Sequence, residues 1–197
     1  MDYATLSMAD VKSGLEEIAR EAQATFGGLD ARQLNWHPDA ARWSVAQCFD
    51  HLLTANQLML QAAAVALTDA APRTVWQRLP VLPGIFGRML VRSQAPSSRR
   101  KFTAPIKAQP ATSEIGADII QRFVEQHRQA ATLVQALDER EAARAIMTSP
   151  FIRVVTYSML DGWRLIFAHD RRHIEQARGV TLSSGFPRSI EIVSGLG

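Results

Sequence analysis

Four stretches of about twenty residues repeat apolar side chains at steps of three and four, the period of an α-helix. That pattern narrows the possible folds more than any other feature of the chain. Met8, Val11, Leu15, Ile18, Ala22 and Thr25 form the first stripe, over Met8 to Phe26; Ser7 can cap it and Gly27-Gly28 can stop it. The second segment runs from Val45 to Ala70. Ser44 followed by Gln47 reads as a capping box, and Cys48, His51, Ala55, Leu58, Met59, Ala62 and Ala66 share a face. The third runs from Glu114 to Leu137, with Ser113 or Thr112 as cap. Its stripe is Ile119, Phe123, His127, Ala130, Val134 and Leu137. The fourth runs from Met159 to Arg178, with Gly179 placed to end it. One face holds Gly162, Leu165, Ile166, His169, His173, Gln176 and Ala177; the opposite arc holds Asp161, Arg164, Arg171, Arg172 and Glu175.

Four such helices predict an all-α protein, a four-helix bundle. The connection from Pro72 to Thr112 is too long for a plain loop, so short helices are expected in it at Thr74 to Leu79 and Gly84 to Val91. The segment from Asp138 to Val155 is expected to cross over the bundle. Residues 1–180 read as one domain and 181–197 as a C-terminal tail.

Composition removes several classes. A charged fraction of 21% beside 47% hydrophobic residues excludes a disordered or fibrous chain. A single cysteine, Cys48, excludes a disulfide scaffold and a four-cysteine zinc site. Met1 to Asp10 has two acids and no base, unlike a signal peptide. The longest uncharged helical stretch, His51 to Thr68, contains Asn56, Gln57 and Gln61 and reads as a buried helix rather than a membrane span. Cytoplasm is the default compartment. Between Asp69 and Glu114 there is no acid but eight bases: Arg73, Arg78, Arg88, Arg92, Arg99, Arg100, Lys101 and Lys107. Few aromatics accompany them and no helix shows a basic recognition face. The stretch therefore reads as a solvated loop, with no nucleic acid and no membrane as partner.

The chemistry concentrates in His169-Asp170-Arg171-Arg172-His173. Histidines at i and i+4 lie on one helix face, a turn apart, and can share a metal. Asp170 points about 100° away from them and makes a poor general base. His51, inside the stripe of another helix, is the candidate third ligand. Three neutral imidazoles would leave a coordination position open for substrate. The competing reading is a set of buried core histidines. His127 is either a core histidine or a further group facing the metal. Cys48 reads as a small buried hydrophobe, and His37 as a surface residue. Trp36 and Trp43 are expected to cover the mouth of the bundle. Gly162 leaves room either for substrate or for close helix packing.

The stretch Trp43-Ser44-Val45-Ala46-Gln47-Cys48-Phe49-Asp50-His51-Leu52 resembles the W-[ST]-x-x-[EQ]-x-x-x-H-[LIV] signature of the DinB-like superfamily. His169-Asp170-Arg171-Arg172-His173-Ile174-Glu175-Gln176 resembles its late H-x-x-[RH]-H-x-x-Q motif. One departure is Ser149-Pro150, where relatives often carry His-Pro. The resemblance implies a bundle of DinB type, often dimeric, with His51, His169 and His173 as the metal triad. It implies a divalent metal, zinc or nickel foremost. Some relatives use a low-molecular-weight thiol such as bacillithiol, mycothiol or glutathione as cosubstrate, activated on the metal. Arg172 and Gln176 are then the residues expected to bind that cosubstrate, with Arg171, Arg99 and Arg100 as further candidates for its carboxylates. The alternative is a non-catalytic bundle whose metal site is structural or regulatory.

Overall fold

A computed structural model describes residues 1–68, 82–98 and 103–188. The α-helices in chain order are α1 (Met8–Phe26), α2 (Ala31–Asn35), α3 (Val45–Leu67), α4 (Leu82–Gln94), α5 (Ile119–Gln135), α6 (Glu139–Arg144) and α7 (Met159–Thr181). A short hairpin, β1 (Ile146–Thr148) with β2 (Thr156–Ser158), precedes α7 and pairs Met147 with Tyr157. The four long helices α1, α3, α5 and α7 form the expected bundle. α1 lies along α5 and α3 along α7, while α1–α7 and α3–α5 contacts close the ring. α4, from the long connection, packs outside on α7 and β2.

The helix starts follow from local chemistry. Ser7 with Asp10, and Ser44 with Gln47, form complete capping boxes. Ser158 caps α7 through the Asp161 amide. The apolar stripes then meet inside the ring. Val11, Leu15 and Ile18 of α1, Phe49 and Leu52 of α3, Ile119 and Phe123 of α5 and Ala168 and Ile174 of α7 are all excluded from solvent. Phe26, Phe49 and Phe123 form a chain of edge-on aromatic contacts across it. At Gly14 the Phe167 ring of α7 packs directly against α1. A Cβ there would fall 2.3 Å from Cζ of Phe167, so the ring occupies the space that any larger residue would take.

Several boundaries differ from those read in the sequence. α5 begins at Ile119, not Glu114, and neither Ser113 nor Thr112 caps it. Asn35 holds both the amide and the carbonyl of Ile115, pinning that residue outside the helix just where it would have started. α7 runs through Gly179 to Thr181. The positive-φ glycine that turns the chain is Gly185 instead, beneath Trp36. The crossing segment from Asp138 to Val155 contains α6 and most of the hairpin. Helix α2, with Asp30 and Gln33 as its own capping box, was not read at all. Gly84 to Val91 falls within α4, whereas Thr74 to Leu79 lies outside the described residues. No described helix is long and apolar enough to cross a membrane.

Candidate metal centre

His51 projects from the second turn of α3, and His169 and His173 from adjacent turns of α7. Because α3 and α7 pack along each other, the three rings meet as a triangle. Their centroids are 5.0, 4.7 and 4.6 Å apart. One nitrogen from each lies within 4.8 Å of the other two. The Nε2 atoms of His51 and His169 are 3.2 Å apart. Two imidazole nitrogens on one tetrahedral zinc ion stand about 3.3 Å apart, given metal–nitrogen bonds near 2.0–2.1 Å. The His51–His169 pair therefore already has the spacing of two ligands on one divalent ion, with His173 close enough to join them.

The tautomer of His51 follows from its second nitrogen. Nδ1 lies 2.5 Å from the carbonyl oxygen of Ala108, which can only accept, so Nδ1 carries the proton and Nε2 keeps its lone pair. Burial holds all three rings in the neutral form that binds metal. It lowers His51. It carries His169 well below the ordinary histidine range, helped by His173, His51 and Arg172. It pushes His173 down to about 3, again helped by His51 and Arg172. Nδ1 of His173 is buried without a hydrogen-bond partner. Trp43 stacks on that ring at 5.7 Å and 21° and also approaches His51 at 5.0 Å, covering the triad as expected.

Two cavities adjoin the triad. The larger has a volume of about 530 Å³. Arg42, Gln94, Thr103, Arg172 and Gln176 line it beside all three histidines. The smaller, about 270 Å³, reaches only His51 and His169. Its walls are mainly Ala55, Met59, Leu90, Phe151, Ile152, Leu165 and Ile166. Arg172 thus borders the triad instead of pointing to the far arc, and its Nη1 donates to the Ser93 carbonyl at 3.2 Å. Arg171 does turn away, to Glu17 and Glu21 of α1. Arg99 and Arg100 lie outside the described residues. Gln176 lines the larger cavity.

Other candidates sit elsewhere. His127 does not face the triad. Its Nε2 is 2.8 Å from Oδ2 of Asp170, its Nδ1 donates to the Phe123 carbonyl at 3.1 Å, and it borders a separate cleft on the α1–α5 side. Asp170 is fully buried, and Asn56 donates to its other oxygen at 3.0 Å. This Asn56–Asp170–His127 network joins α3, α7 and α5 and was missed. A signal existed: His127 lies within the stripe of its helix and Asn56 follows Ala55 of another, and polar groups buried together must find one another. Cys48 is buried, with its thiol pushed up to about 12, so it remains a protonated core residue. Gly162 serves packing, since a Cβ there would meet Met147 Sδ at 2.8 Å. Trp36 packs on Phe186 instead of covering the triad. His37 stays at the surface beside the Arg42 carbonyl. Ser149, from the departing Ser-Pro pair, lines the smaller cavity.

The family model of the DinB superfamily matches residues 15–177, more than half of the chain. No curated protein and no solved structure matches it.

Proposed function

The chain belongs to the DinB superfamily, and from that premise we propose that it is a divalent-metal transferase acting on a low-molecular-weight thiol. His51, His169 and His173 would hold the ion. When bound, the ion would act as a Lewis acid, lowering the pKa of a coordinated thiol, or of water as runner-up, so that it attacks as the anion. The S–H proton would pass to water, and the thiolate would form a carbon–sulfur bond to an electrophilic small molecule as that carbon's bond to its leaving group breaks, the leaving group departing with the electron pair.

The chain's own residues prepare that event. Ala108 sets the His51 tautomer. Trp43 keeps water from one side of the rings. Arg42 and Arg172 make the larger cavity cationic, suited to the carboxylates of an anionic thiol, with Gln176 beside them. The observation that carries this reading is the convergence of three neutral imidazoles at the foot of a cationic cavity.

A structural or regulatory metal site is the alternative. What favours it is that no carboxylate lines either cavity among the described residues, so no side-chain base faces the triad.

Metal content per chain after gel filtration, by elemental mass spectrometry, tests both. Wild type is expected to hold about one ion per chain and His169→Ala to lose it. No metal in wild type, even after loading with zinc and nickel, refutes both readings. Stripping the ion then separates them: an apo-protein that stays folded supports the transferase, whereas one that collapses supports the structural site.

A further inference from the structure

We propose that the smaller cavity is a binding site for a small, uncharged, mainly apolar organic group, held beside His51 and His169. In assigning that group to the electrophile the proposal rests on the transferase reading; the cavity's preference for it does not.

Three observations carry it. The first is the contrast between two cavities sharing His51 and His169. One presents Arg42 and Arg172; the other has no charged side chain among its described lining residues. A ligand atom at the triad can therefore extend one way into cationic surroundings and the other way into apolar ones.

The second is that three of the polar side chains on the smaller cavity's walls already have partners, while Gln94 and Thr103 line both cavities. Asn56 Nδ2 is given to Asp170. Ser93 Oγ donates to the Leu90 carbonyl at 2.7 Å. Ser149 Oγ accepts from the amides of Phe151 and Ile152. Hydrogen bonding for a guest is left to neutral Gln94 and Thr103, and no charged side chain among the described lining residues offsets a charge. A charged guest would lose its hydration without compensation, while an apolar one is favoured by area removed from water.

The third is size. An apolar cavity of roughly 150 Å³ takes up benzene. A volume of about 270 Å³ accommodates one ring with a short chain, roughly ten heavy atoms. Ile152, half-exposed, stands at the rim and gives a route of entry.

The test uses an isosteric pair. n-Propylbenzene is neutral; 2-phenylethylammonium has nearly the same shape with a positive charge at the chain end. The positive charge also keeps it out of the cationic cavity. Metal-loaded protein labelled at its methionine methyl groups is titrated and followed by NMR. Met59 lines the cavity, while Met1 and Met89 are exposed and report non-specific association. A saturable shift at Met59 with propylbenzene is expected, with the ammonium binding at least tenfold more weakly. Ala55→Leu should fill the cavity, and Ile152→Asp should put a charge at its rim. Each should weaken propylbenzene at least tenfold. If Ala55→Leu does not fold, Ile152→Asp decides.

No shift at Met59, equal binding of the two probes, or indifference to both variants overturns the proposal. Metal content and thiol turnover, measured on the same samples, keep the two readings apart. Propylbenzene binding without turnover of any thiol leaves the cavity assignment standing and removes the transferase. Turnover without binding does the reverse.

Discussion

Replacing Asp170 by alanine should be among the most damaging single changes in the bundle, although Asp170 touches no solvent. Both carboxylate oxygens are used: Oδ1 accepts from Asn56 at 3.0 Å and Oδ2 faces His127 Nε2 at 2.8 Å. Since Nδ1 of His127 already donates to the Phe123 carbonyl, the His127–Asp170 pair shares one further proton across the short contact. Alanine would leave two buried donors without an acceptor and a void where three helices meet. Two buried polar groups left without a partner, together with the void, cost about 3–5 kcal/mol. At about 2–4 °C per kcal/mol for a chain of this size, the midpoint should fall by roughly 6–20 °C. Asp170→Asn keeps an acceptor for Asn56 and should cost less, about 1–3 kcal/mol. Urea unfolding of the metal-free protein, followed by circular dichroism, measures these differences. A cycle with His127→Leu isolates the pair: the double variant should be more stable than the sum of the singles predicts, by about 1–3 kcal/mol. A loss below about 1 kcal/mol for Asp170→Ala, or strict additivity in the cycle, would refute the reasoning.

Two other outcomes are expected. Burial depresses the three triad histidines, His173 to about 3. The unfolded chain therefore binds protons near pH 6.5 that the folded apo-protein refuses. Apo stability should be fully present above that pH and fall on acidification, by about 1.4 kcal/mol per pH unit from His173 alone. His173→Asn should flatten the slope, and unchanged stability of the wild-type apo-protein between pH 7 and 5 would contradict the burial argument. Arg172→Ala should keep its metal, because Arg172 supplies no ligand, while weakening an anionic thiol about tenfold, near 1.4 kcal/mol; calorimetry showing unchanged affinity would remove Arg172 from the cosubstrate site.

The bundle was legible because periodicity and caps agree. Met8–Phe26 emerged with its read boundaries, since Ser7, Asp10 and the stripe from Val11 to Ala22 all act locally. The start of α5 was not legible, because a distant side chain, Asn35, decides it. The same division runs through the site. The spacing of His169 and His173 is a property of one helix and could be read directly. That His51 meets them needs the packing of α3 on α7, which two apolar stripes suggest but do not align. Asp170 looked peripheral on the wheel because the wheel shows direction from the histidines, not what lies there. Two other helices lie there, with His127 and Asn56 waiting. The hairpin escaped because three-residue strands leave too short a pattern for alternation to register.

The contact between His51 and residue 108 makes a demand that genetics would have difficulty seeing. The group that receives the Nδ1 proton is a main-chain carbonyl. No exchange of the Ala108 side chain deletes it, and because that side chain is itself buried, a loss on substitution there would report packing and not the hydrogen bond. What must persist there is a course of backbone, the turn at Ile106–Ala108 that aims one oxygen at the ring. The change that would expose the constraint is made to the backbone: an ester in place of the amide after Ala108 weakens the oxygen as an acceptor while leaving every side chain in place.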